Sequence, residues 1–393
     1  MKGDVNMTIV FVSNFFNHHQ KFLADAMYDL IGDDYYFIET EPISEERLNM
    51  GWGGDSKPSY VKQNYINDSS REECQSIINE ADVVIHGSAL YSLLTDRLKR
   101  GKLTFKYSER IYKGGCPYHK LPRHFILNSI KYRRYKNFYI LCASAYTSAD
   151  FAKTFTFLKK AYKWGYFTEV KRYEDINALI GSKQKASILW VARLIGWKHP
   201  EIAVEVARKL KRDGYIFNMN LIGNGELEEN IRSMIDEYDI GDCVHMLGAM
   251  RPEQVREHME KSEIFLFTSD RNEGWGAVLN ESMNSACAVV ASHAIGSVPF
   301  LIKNGENGLV YEDGDVDELY TKIKYLLDCP NERKKISDMA YQTMINEWNA
   351  ENAAKRFIKI CEKILDSDKS PFPYLDGVCS KAKVLKDHWY KNN

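Results

Sequence analysis

Residues 263–292 read EIFLFTSDRNEGWGAVLNESMNSACAVVAS. The stretch begins with an apolar, strand-like run at 263–269, which leads into a loop that contains two glycines. A helical pattern at 277–286 follows, and a second apolar run at 288–294 predicts another strand. Two strands joined by a helix lie parallel in one sheet, so the stretch predicts a βαβ unit of an α/β domain.

The same alternation of strand and helix patterns extends over nearly the whole chain. Helical patterns occur between the strand-like runs, for example at 19–32, 71–81, 201–214 and 252–262. The strand-like runs lie at 8–14, 34–40, 82–88, 103–109, 138–145, 187–194, 219–225, 244–250, 263–269 and 288–294. Since 393 residues exceed a typical single core, the two series predict two Rossmann-like doubly wound domains.

The polar stretch at 171–187 is the expected domain boundary. We expect a cleft between the two domains and a C-terminal helical segment that crosses back to the first one. The predicted parts are an N-terminal domain at 1–172, a C-terminal domain at 186–345 and the helical segment at 346–393.

Composition narrows the class of protein only slightly. Hydrophobic residues make up 44%, charged residues 27%, and the net charge is −1, so bulk charge identifies no partner. The eight cysteines form no CxxC pair, which disfavours a zinc site or a disulfide framework. Because the N-terminus lacks a signal-peptide pattern and no apolar run approaches about 20 residues, we expect a cytoplasmic protein.

Basic residues and glycines follow two of the predicted strands in the second half. Arg193 and Lys198 come after the strand at 187–194, and a guanidinium beside an ammonium suits a diphosphate. A turn of Gly223, Asn224 and Gly225 follows the next strand and lets backbone approach a ligand. Taken singly, each motif is also explained without a ligand, as solvated surface charge or as a tight turn.

Two carboxylates flank the glycines of the opening stretch. Glu273 lies in the loop, whereas Glu281 lies about one turn into the helix, whose N-terminus favours anions. A carboxylate can accept two hydrogen bonds from a vicinal diol such as that of a ribose. The alternative is an acidic residue that favours the helix dipole and a solvated loop charge.

The motifs together support one ligand site, because all of them are predicted to lie at the same edge of the sheet. Ligands of doubly wound domains bind beyond the carboxyl ends of the strands, and all of these motifs follow such ends. Cations for a diphosphate and carboxylates for diols together predict a nucleotide-sugar site.

Residues 186–345 resemble the C-terminal domain of the retaining GT-B glycosyltransferases called "glycosyl transferases group 1" (family four). Three stretches carry the resemblance: VARLIGWKHPEIAVEVARKL, LIGNGELEENI and the spaced pair Glu273-x7-Glu281. The N-terminal half is similar mainly in its alternation of elements.

The resemblance implies a role for each matching residue. Glu273 would contact the transferred sugar, and Glu281 would hold the ribose hydroxyls. Arg193 and Lys198 would bind the donor diphosphate. The remaining donor-binding residues would be Gly274, Trp275, Gly276, Gly223, Asn224, Gly225, Met250 and Arg251. The resemblance also implies retention of anomeric configuration, a UDP-sugar as the donor, and no metal or other cofactor.

This chain departs from the family pattern at two positions. His199 follows Lys198 where the family usually has glycine, and Phe300 stands where it often has glutamate. The second difference concerns recognition of the sugar, not the fold.

The N-terminal half offers four candidates for the acceptor side. Asn17 and His18 follow the first strand, His86 ends the strand at 82–88, and Glu109 ends the strand at 103–109. Each also has a structural interpretation, and for Glu109 this is a surface ion pair with Arg110.

Residues 97–136 contain thirteen Lys and Arg residues, one acidic residue and seven aromatic residues. Apolar and basic residues are interleaved at 121–138, as in a helix that lies at a membrane interface. We expect contact with an anionic membrane surface, the inner face of the plasma membrane, that carries a lipid-linked or oligosaccharide acceptor. The alternative is a solvated basic face, and no recognition motif for nucleic acid accompanies the charge.

The sequence therefore predicts a retaining hexosyltransferase that moves a sugar from a nucleotide-sugar to a hydroxyl acceptor, in cell-surface polysaccharide or glycolipid assembly. Two alternatives stay open. One is a nucleotide-sugar epimerase or phosphorylase on the same fold, and the other is a non-catalytic nucleotide-sugar-binding scaffold.

Overall fold

A computed structural model describes residues 7–45, 57–368, 370–385 and 388–391. The chain divides into two compact units. The first unit comprises Met1–Thr168 and Trp348–Leu385, and the second comprises Glu169–Glu347 and Lys386–Asn393. The predicted outer limits at residues 1 and 393 lie outside the described residues.

The first unit contains a parallel sheet of seven strands in the order β3-β2-β1-β4-β5-β6-β7. The strands are β1 (Ile9–Ser13), β2 (Tyr35–Glu39), β3 (Val61–Gln63), β4 (Val83–His86), β5 (Leu103–Ser108), β6 (Phe138–Cys142) and β7 (Ala161–Lys163). The helices are α1 (His18–Ile31), α2 (Asp68–Glu80), α3 (Thr95–Lys99), α4 (Leu121–Asn128) and α5 (Thr147–Ala152).

The second unit contains a parallel sheet of six strands in the order β10-β9-β8-β11-β12-β13. The strands are β8 (Gln184–Val191), β9 (Asn218–Ile222), β10 (Val244–Gly248), β11 (Ser262–Phe267), β12 (Ala288–Ser292) and β13 (Leu309–Tyr311). The helices are α6 (Ile176–Ser182), α7 (Pro200–Arg212), α8 (Glu228–Glu237), α9 (Pro252–Lys261), α10 (Val278–Asn284), α11 (Val298–Leu301), α12 (Val316–Asp328) and α13 (Pro330–Asn346).

The prediction of two Rossmann-like domains is confirmed. In each sheet the first strand lies third from one edge, and the strand order reverses beside it, between β1 and β4 and between β8 and β11. Such a reversal opens a crevice at the carboxyl ends of the strands. Three strands of three residues each, β3, β7 and β13, were not predicted, because so short a run carries little periodicity.

The last long helix, α14 (Ala350–Leu365), packs against α1 in the first unit. The predicted return of the C-terminal segment to the N-terminal domain is therefore confirmed. Beyond α14 the chain pairs with the edge strand β7, where Cys379 N donates to Lys163 O at 2.8 Å and Ala382 N donates to Ala161 O at 3.0 Å. This segment covers a sheet edge that would otherwise expose unpaired backbone groups.

All six residues of β11 are buried, as in a parallel strand with helices on both faces. Every cysteine of the chain is a free thiol. Within the described residues, no helix is long and apolar enough to cross a bilayer.

Arg97 shows that the basic stretch at 97–136 is not uniformly a surface. Its side chain is buried, and its guanidinium donates to Leu103 O at 2.6 Å, Ala81 O at 3.1 Å and Thr104 Oγ1 at 3.0 Å. The interpretation of Arg97 as part of a surface charge is wrong. It joins α3, on which it lies, to the end of α2 and to β5 through these hydrogen bonds.

We predict that Arg97→Ala destabilises the first unit by about 3 kcal/mol, because buried carbonyls lose a charged donor. Calorimetric unfolding should show a lower Tm for that unit's transition. The exposed Arg100, which pairs with Glu80 at 2.9 Å, provides the control, and Arg100→Ala should cost less than about 1 kcal/mol. Equal losses for the two variants would contradict this role.

Candidate functional site

The loops that follow β8, β9 and β11 meet at one edge of the second sheet. Leu194 N donates to Asn224 O at 2.8 Å and joins the first two loops. Asp270 N donates to Trp197 O at 3.0 Å and joins the loops after β8 and β11. The structure thus brings together most of the residues that the sequence proposed for donor binding.

Gly223 and Gly225 permit the close approach of two of these loops. Their φ angles are +141° and +158°, and a Cβ would lie 1.8 Å from Ala192 O at the first glycine and 2.3 Å from Leu194 O at the second. Any side chain would therefore force the loops apart. The packing alone accounts for both glycines, so they are not by themselves evidence of ligand contact, although the intervening Asn224 is exposed.

Lys198 and Glu273 form a salt bridge. Both side chains are largely buried, at 12% and 11% exposure, and Ser269 Oγ donates to Glu273 Oε2 at 3.1 Å. Lys198 Nζ also lies 4.2 Å from the centroid of the Trp197 ring. The sequence placed these two residues in one site, but it gave no sign that they pair directly.

Arg193 is exposed, with its guanidinium 6.0 Å from the centroid of the Trp197 ring. Within the described part of the chain, no carboxylate pairs with Arg193. Met250 is half-buried and Arg251 exposed, just beyond β10. Gly223 N donates to Gly248 O at 2.8 Å, which brings the end of β10 to the same edge.

The glycine-rich loop after β11 is tightly packed. Gly276 has a φ of +83°, and a Cβ there would lie 2.3 Å from Cζ of Phe267. Trp275 is fully buried, and its Nε1 donates to Asn280 Oδ1 at 2.9 Å. Gly274 is buried as well. Trp275 therefore belongs to the core, and the exposed part of this loop lies elsewhere.

Glu281 lies in α10 and is half-buried. Burial raises the pKa of its carboxyl group, and the nearby Arg256 guanidinium opposes this shift. In the part of the chain that the structure describes, no side chain or backbone N–H donates to this carboxylate. Both of its oxygens are therefore available to accept hydrogen bonds from a ligand.

Arg256 is a buried support for α10 that the sequence analysis missed. Its guanidinium donates to Glu281 O at 3.3 Å, Asn284 Oδ1 at 2.9 Å and Ser285 Oγ at 3.2 Å. These bonds provide donors for a backbone carbonyl and two side-chain oxygens at the carboxyl end of α10. No sequence signal could have identified Arg256, because it lies 25 residues from Glu281 in the chain.

His199 explains why a glycine is usual after the lysine in the resembled family. Its φ is +52°, in the left-handed region that favours glycine. A residue other than glycine is strained in this region, and contacts of the imidazole with two carboxylates offset the strain. Nδ1 lies 2.7 Å from Glu201 Oε1, and Nε2 lies 3.5 Å from Asp270 Oδ2. The hydrogen bond with Glu201 raises the pKa of His199.

Two of the acceptor-side candidates have structural roles in the first unit. Asn17 caps α1, with its Oδ1 accepting from His19 N at 2.8 Å. His86 is buried, and burial lowers its pKa to about 4. Its Nε2 lies 3.4 Å from Leu90 O.

The other two candidates belong to one side-chain cluster. The ring of the exposed His18 contacts that of His19 in a tilted arrangement, with centroids 3.9 Å apart, and the ring of His19 stacks on that of Tyr166 at 5.7 Å. Tyr166 donates to Glu109 Oε1 at 2.6 Å, and Lys113 pairs with Glu109 Oε2 at 2.6 Å.

The surface pair of Glu109 with Arg110, offered as the structural alternative, is not observed. Arg110 instead lies 3.9 Å from Asp150, with its guanidinium 4.7 Å from the centroid of the Tyr146 ring.

Comparison with known proteins finds a family match within the second unit. Residues 172–343 match the family described as Glycosyl transferases group 1. This match confirms the resemblance of the second unit to glycosyl transferases group 1.

Two curated relatives align over part of their length. The chain is 29% identical over 186 residues to the amylovoran biosynthesis glycosyltransferase AmsK of Erwinia amylovora, covering 46% of each chain. It is 28% identical over 138 residues to the putative colanic acid biosynthesis glycosyltransferase WcaL of Salmonella typhimurium, covering 34% of each chain. The chain thus spans less than half the length of these relatives.

Solved structures share the whole fold. HepE of Anabaena, solved in complex with UDP, superposes with a TM-score of 0.65 at 15% identity, covering 92% of this chain and 99% of HepE. The fold is that of the GT-B glycosyltransferases.

We predict that His199 makes the stability of the second unit depend on pH. Because its folded pKa is raised above 6.5, its stabilising contribution is complete below pH 6.5 and is lost as the pH rises through the folded value. An NMR titration of the His199 ring should give a lower pKa in Glu201→Gln. An unchanged pKa in that variant would contradict the assignment of the shift to Glu201.

Proposed function

We propose that the chain is a glycosyltransferase that moves a hexose from a nucleotide-sugar, a UDP-sugar by preference, to a hydroxyl acceptor with retention of configuration. The observation that carries the proposal is the meeting of three loops at one sheet edge. There they place an exposed guanidinium, a paired lysine and a carboxylate with open acceptor sites. The match to Glycosyl transferases group 1 covers these same loops.

Each charged group has a distinct role in this proposal. Glu281 accepts the two hydroxyl hydrogens of the ribose, since no described group of the protein uses its oxygens. Arg193 and Lys198 stabilise the negative charge that develops on the diphosphate as the sugar leaves. In this proposal these two cations, not a metal ion, supply the positive charge.

In this proposal, Lys198 exchanges its partner Glu273 for the diphosphate when the donor binds. The lysine is neutralised by the carboxylate before the donor enters. A diphosphate competes for Lys198, because it carries a denser negative charge than one carboxylate. Glu273, once released, accepts a hydrogen bond from a hydroxyl of the donor sugar. Donor binding thus creates the arrangement that the transfer requires.

The transfer itself needs no basic side chain. The acceptor oxygen forms a bond to the anomeric carbon on the face from which the diphosphate departs. The proton of the acceptor hydroxyl passes to the departing phosphate oxygen. Retention follows from attack on that face.

We propose a role in cell-surface polysaccharide or glycolipid assembly, with a lipid-linked or oligosaccharide acceptor. Support comes from the relatives named for amylovoran and colanic acid biosynthesis. The cluster of His18 and Glu109 in the first unit is the proposed acceptor side.

Contact with an anionic membrane surface is supported by α4 and the turn after it. None of the residues of α4 is buried. The exposed apolar side chains are Phe125, Ile126, Leu127 and Ile130, and the exposed basic ones nearby are Arg123, Lys131, Arg133 and Arg134. An apolar face flanked by cations is typical of a helix that lies at a lipid interface. We propose peripheral attachment of a cytoplasmic enzyme.

We predict that the two glutamates differ in their effect on the enzyme. Glu281→Ala should weaken binding of a UDP-sugar about tenfold or more, because charged hydrogen bonds are lost. Glu273→Gln should lower kcat by about 100-fold with a smaller change in donor affinity. Calorimetry and initial rates measure the two effects. The exposed Glu237 supplies the control, and Glu237→Gln should leave both unchanged.

Full activity in both variants would overturn the site. Product formed without an acceptor, or only with inorganic phosphate, would favour the epimerase or phosphorylase. Donor binding without turnover on any acceptor would favour the non-catalytic scaffold.

We predict that the protein co-sediments with phosphatidylglycerol vesicles at low salt and is released at high salt. Arg123→Gln/Arg133→Gln should weaken this binding by about 2 kcal/mol, since each basic residue contributes about 1 kcal/mol at an anionic surface. Lys324→Gln/Lys334→Gln removes two exposed cations from the second unit and should have no effect. Failure of the unmodified protein to bind at low salt would contradict the membrane contact.

A further inference from the structure

A cavity of about 460 Å³ lies within the first unit, and none of the candidate site residues lines it. Its volume is in the range of small-molecule sites. It is enclosed by α5, by the loop that leads to β7 and by the C-terminal segment that pairs with β7. The apolar residues that line it are Ala152, Phe157, Leu158, Ala161, Ala382 and Val384. Such walls suit a hydrocarbon and offer little to a sugar or a nucleotide base.

The loop before β7 holds an unusual backbone. Phe155, Phe157 and Lys159 have φ angles of +52°, +55° and +61°, which cost about 1–2 kcal/mol each for residues other than glycine. Hydrogen bonds within the loop hold it, including one of 3.0 Å between Thr154 Oγ1 and Thr156 Oγ1. Strain of this kind, maintained by surrounding contacts, is common where a loop serves a ligand.

The same loop presents apolar side chains to solvent at the cavity. Phe155 is 61% exposed and Leu158 is 51% exposed, and Val384 across the cavity is 56% exposed. Burial of large apolar side chains is the usual outcome of folding, so a group of exposed ones beside an apolar cavity indicates an apolar partner.

Three lysines line the cavity: Lys159, Lys381 and Lys383. Lys381 Nζ donates to Lys159 O at 3.0 Å and lies 3.8 Å from the centroid of the Tyr162 ring. Its burial lowers its pKa to about 8. Among the described residues, no carboxylate forms an ion pair with any of the three. The site therefore combines apolar walls with positive charge that the protein itself does not neutralise.

The loop that lines the cavity also contacts α4. The rings of Phe125 and Phe155 meet edge to face at 6.2 Å, and Asn128 Nδ2 donates to Thr154 Oγ1 at 2.9 Å. A surface that lies on a bilayer through α4 would bring the cavity to the same lipids.

We propose that this cavity binds one acyl chain of an anionic membrane lipid, with the lipid phosphate held by Lys159, Lys381 and Lys383. Charge complementarity and the apolar lining select this occupant over a neutral lipid or a free phosphate. The binding is a non-covalent association that involves no catalysis. It goes beyond the proposed sugar transfer and does not depend on it.

The test uses the full chain and a soluble single-chain probe, lyso-phosphatidylglycerol below its micelle concentration, measured by calorimetry. The unmodified protein should bind this probe at least tenfold more tightly than lyso-phosphatidylcholine and should not bind glycerol phosphate. Ala152→Phe fills the cavity and should weaken binding at least tenfold. Ala178→Phe, at an exposed position of α6, is the matched control and should bind as the unmodified protein does.

Lys159→Gln/Lys383→Gln tests the charge without filling the cavity. It should remove the preference for the anionic probe, whereas Lys324→Gln/Lys334→Gln should retain it. Each of three results would overturn the proposal: equal binding by Ala152→Phe, equal binding of glycerol phosphate, or no binding of either lyso-lipid. Self-association that Ala152→Phe abolishes would assign the cavity to a second copy of the chain and overturn it as well. Sugar transfer by Ala152→Phe in solution should be unchanged, which separates this test from that of the proposed activity.

Discussion

The ion pair between Lys198 and Glu273 joins the loops on which the candidate site is built. It connects the loop after β8 to the loop after β11, which lie side by side where the strand order reverses. Two largely buried charges are costly unless they are paired, so each residue fixes the position of the other. The neighbouring bond from Thr268 Oγ1 to Lys198 O, at 2.7 Å, holds the lysine backbone as well. The site is thus preorganised around one pair of opposite charges.

Close backbone packing imposes a second constraint at the same edge. Gly223 and Gly225 allow the loop after β9 to touch the loop after β8, and Gly276 allows the loop after β11 to pass Phe267. His199 departs from this pattern, because it adopts a left-handed conformation without being glycine. Its contacts with Glu201 and Asp270 show how a chain can keep such a conformation by adding electrostatic partners.

Buried cations support both units in the same way. Arg97 in the first unit and Lys183 in the second are enclosed by backbone carbonyl groups; Lys183 Nζ donates to Met259 O at 2.9 Å and Ser285 O at 2.8 Å. Helices and strands end near these points, where carbonyl oxygens can accept further hydrogen bonds. A single cation satisfies several of them at once. Neither residue bears on the proposed chemistry, although both occur in stretches rich in charge.

The sequence by itself determined the alternation of strands and helices, the two-unit organisation and the spacing of Glu273 and Glu281. Periodicity and loop composition are local, and a parallel sheet follows from them by short-range rules. Only the tertiary structure decided which charges pair, that Arg97 and the ring of Trp275 are buried, that Arg256 supports α10, and that residues 379–382 cover β7. These outcomes depend on contacts between residues far apart in the chain, and pairing energies of charged groups depend on burial, which a linear pattern does not contain.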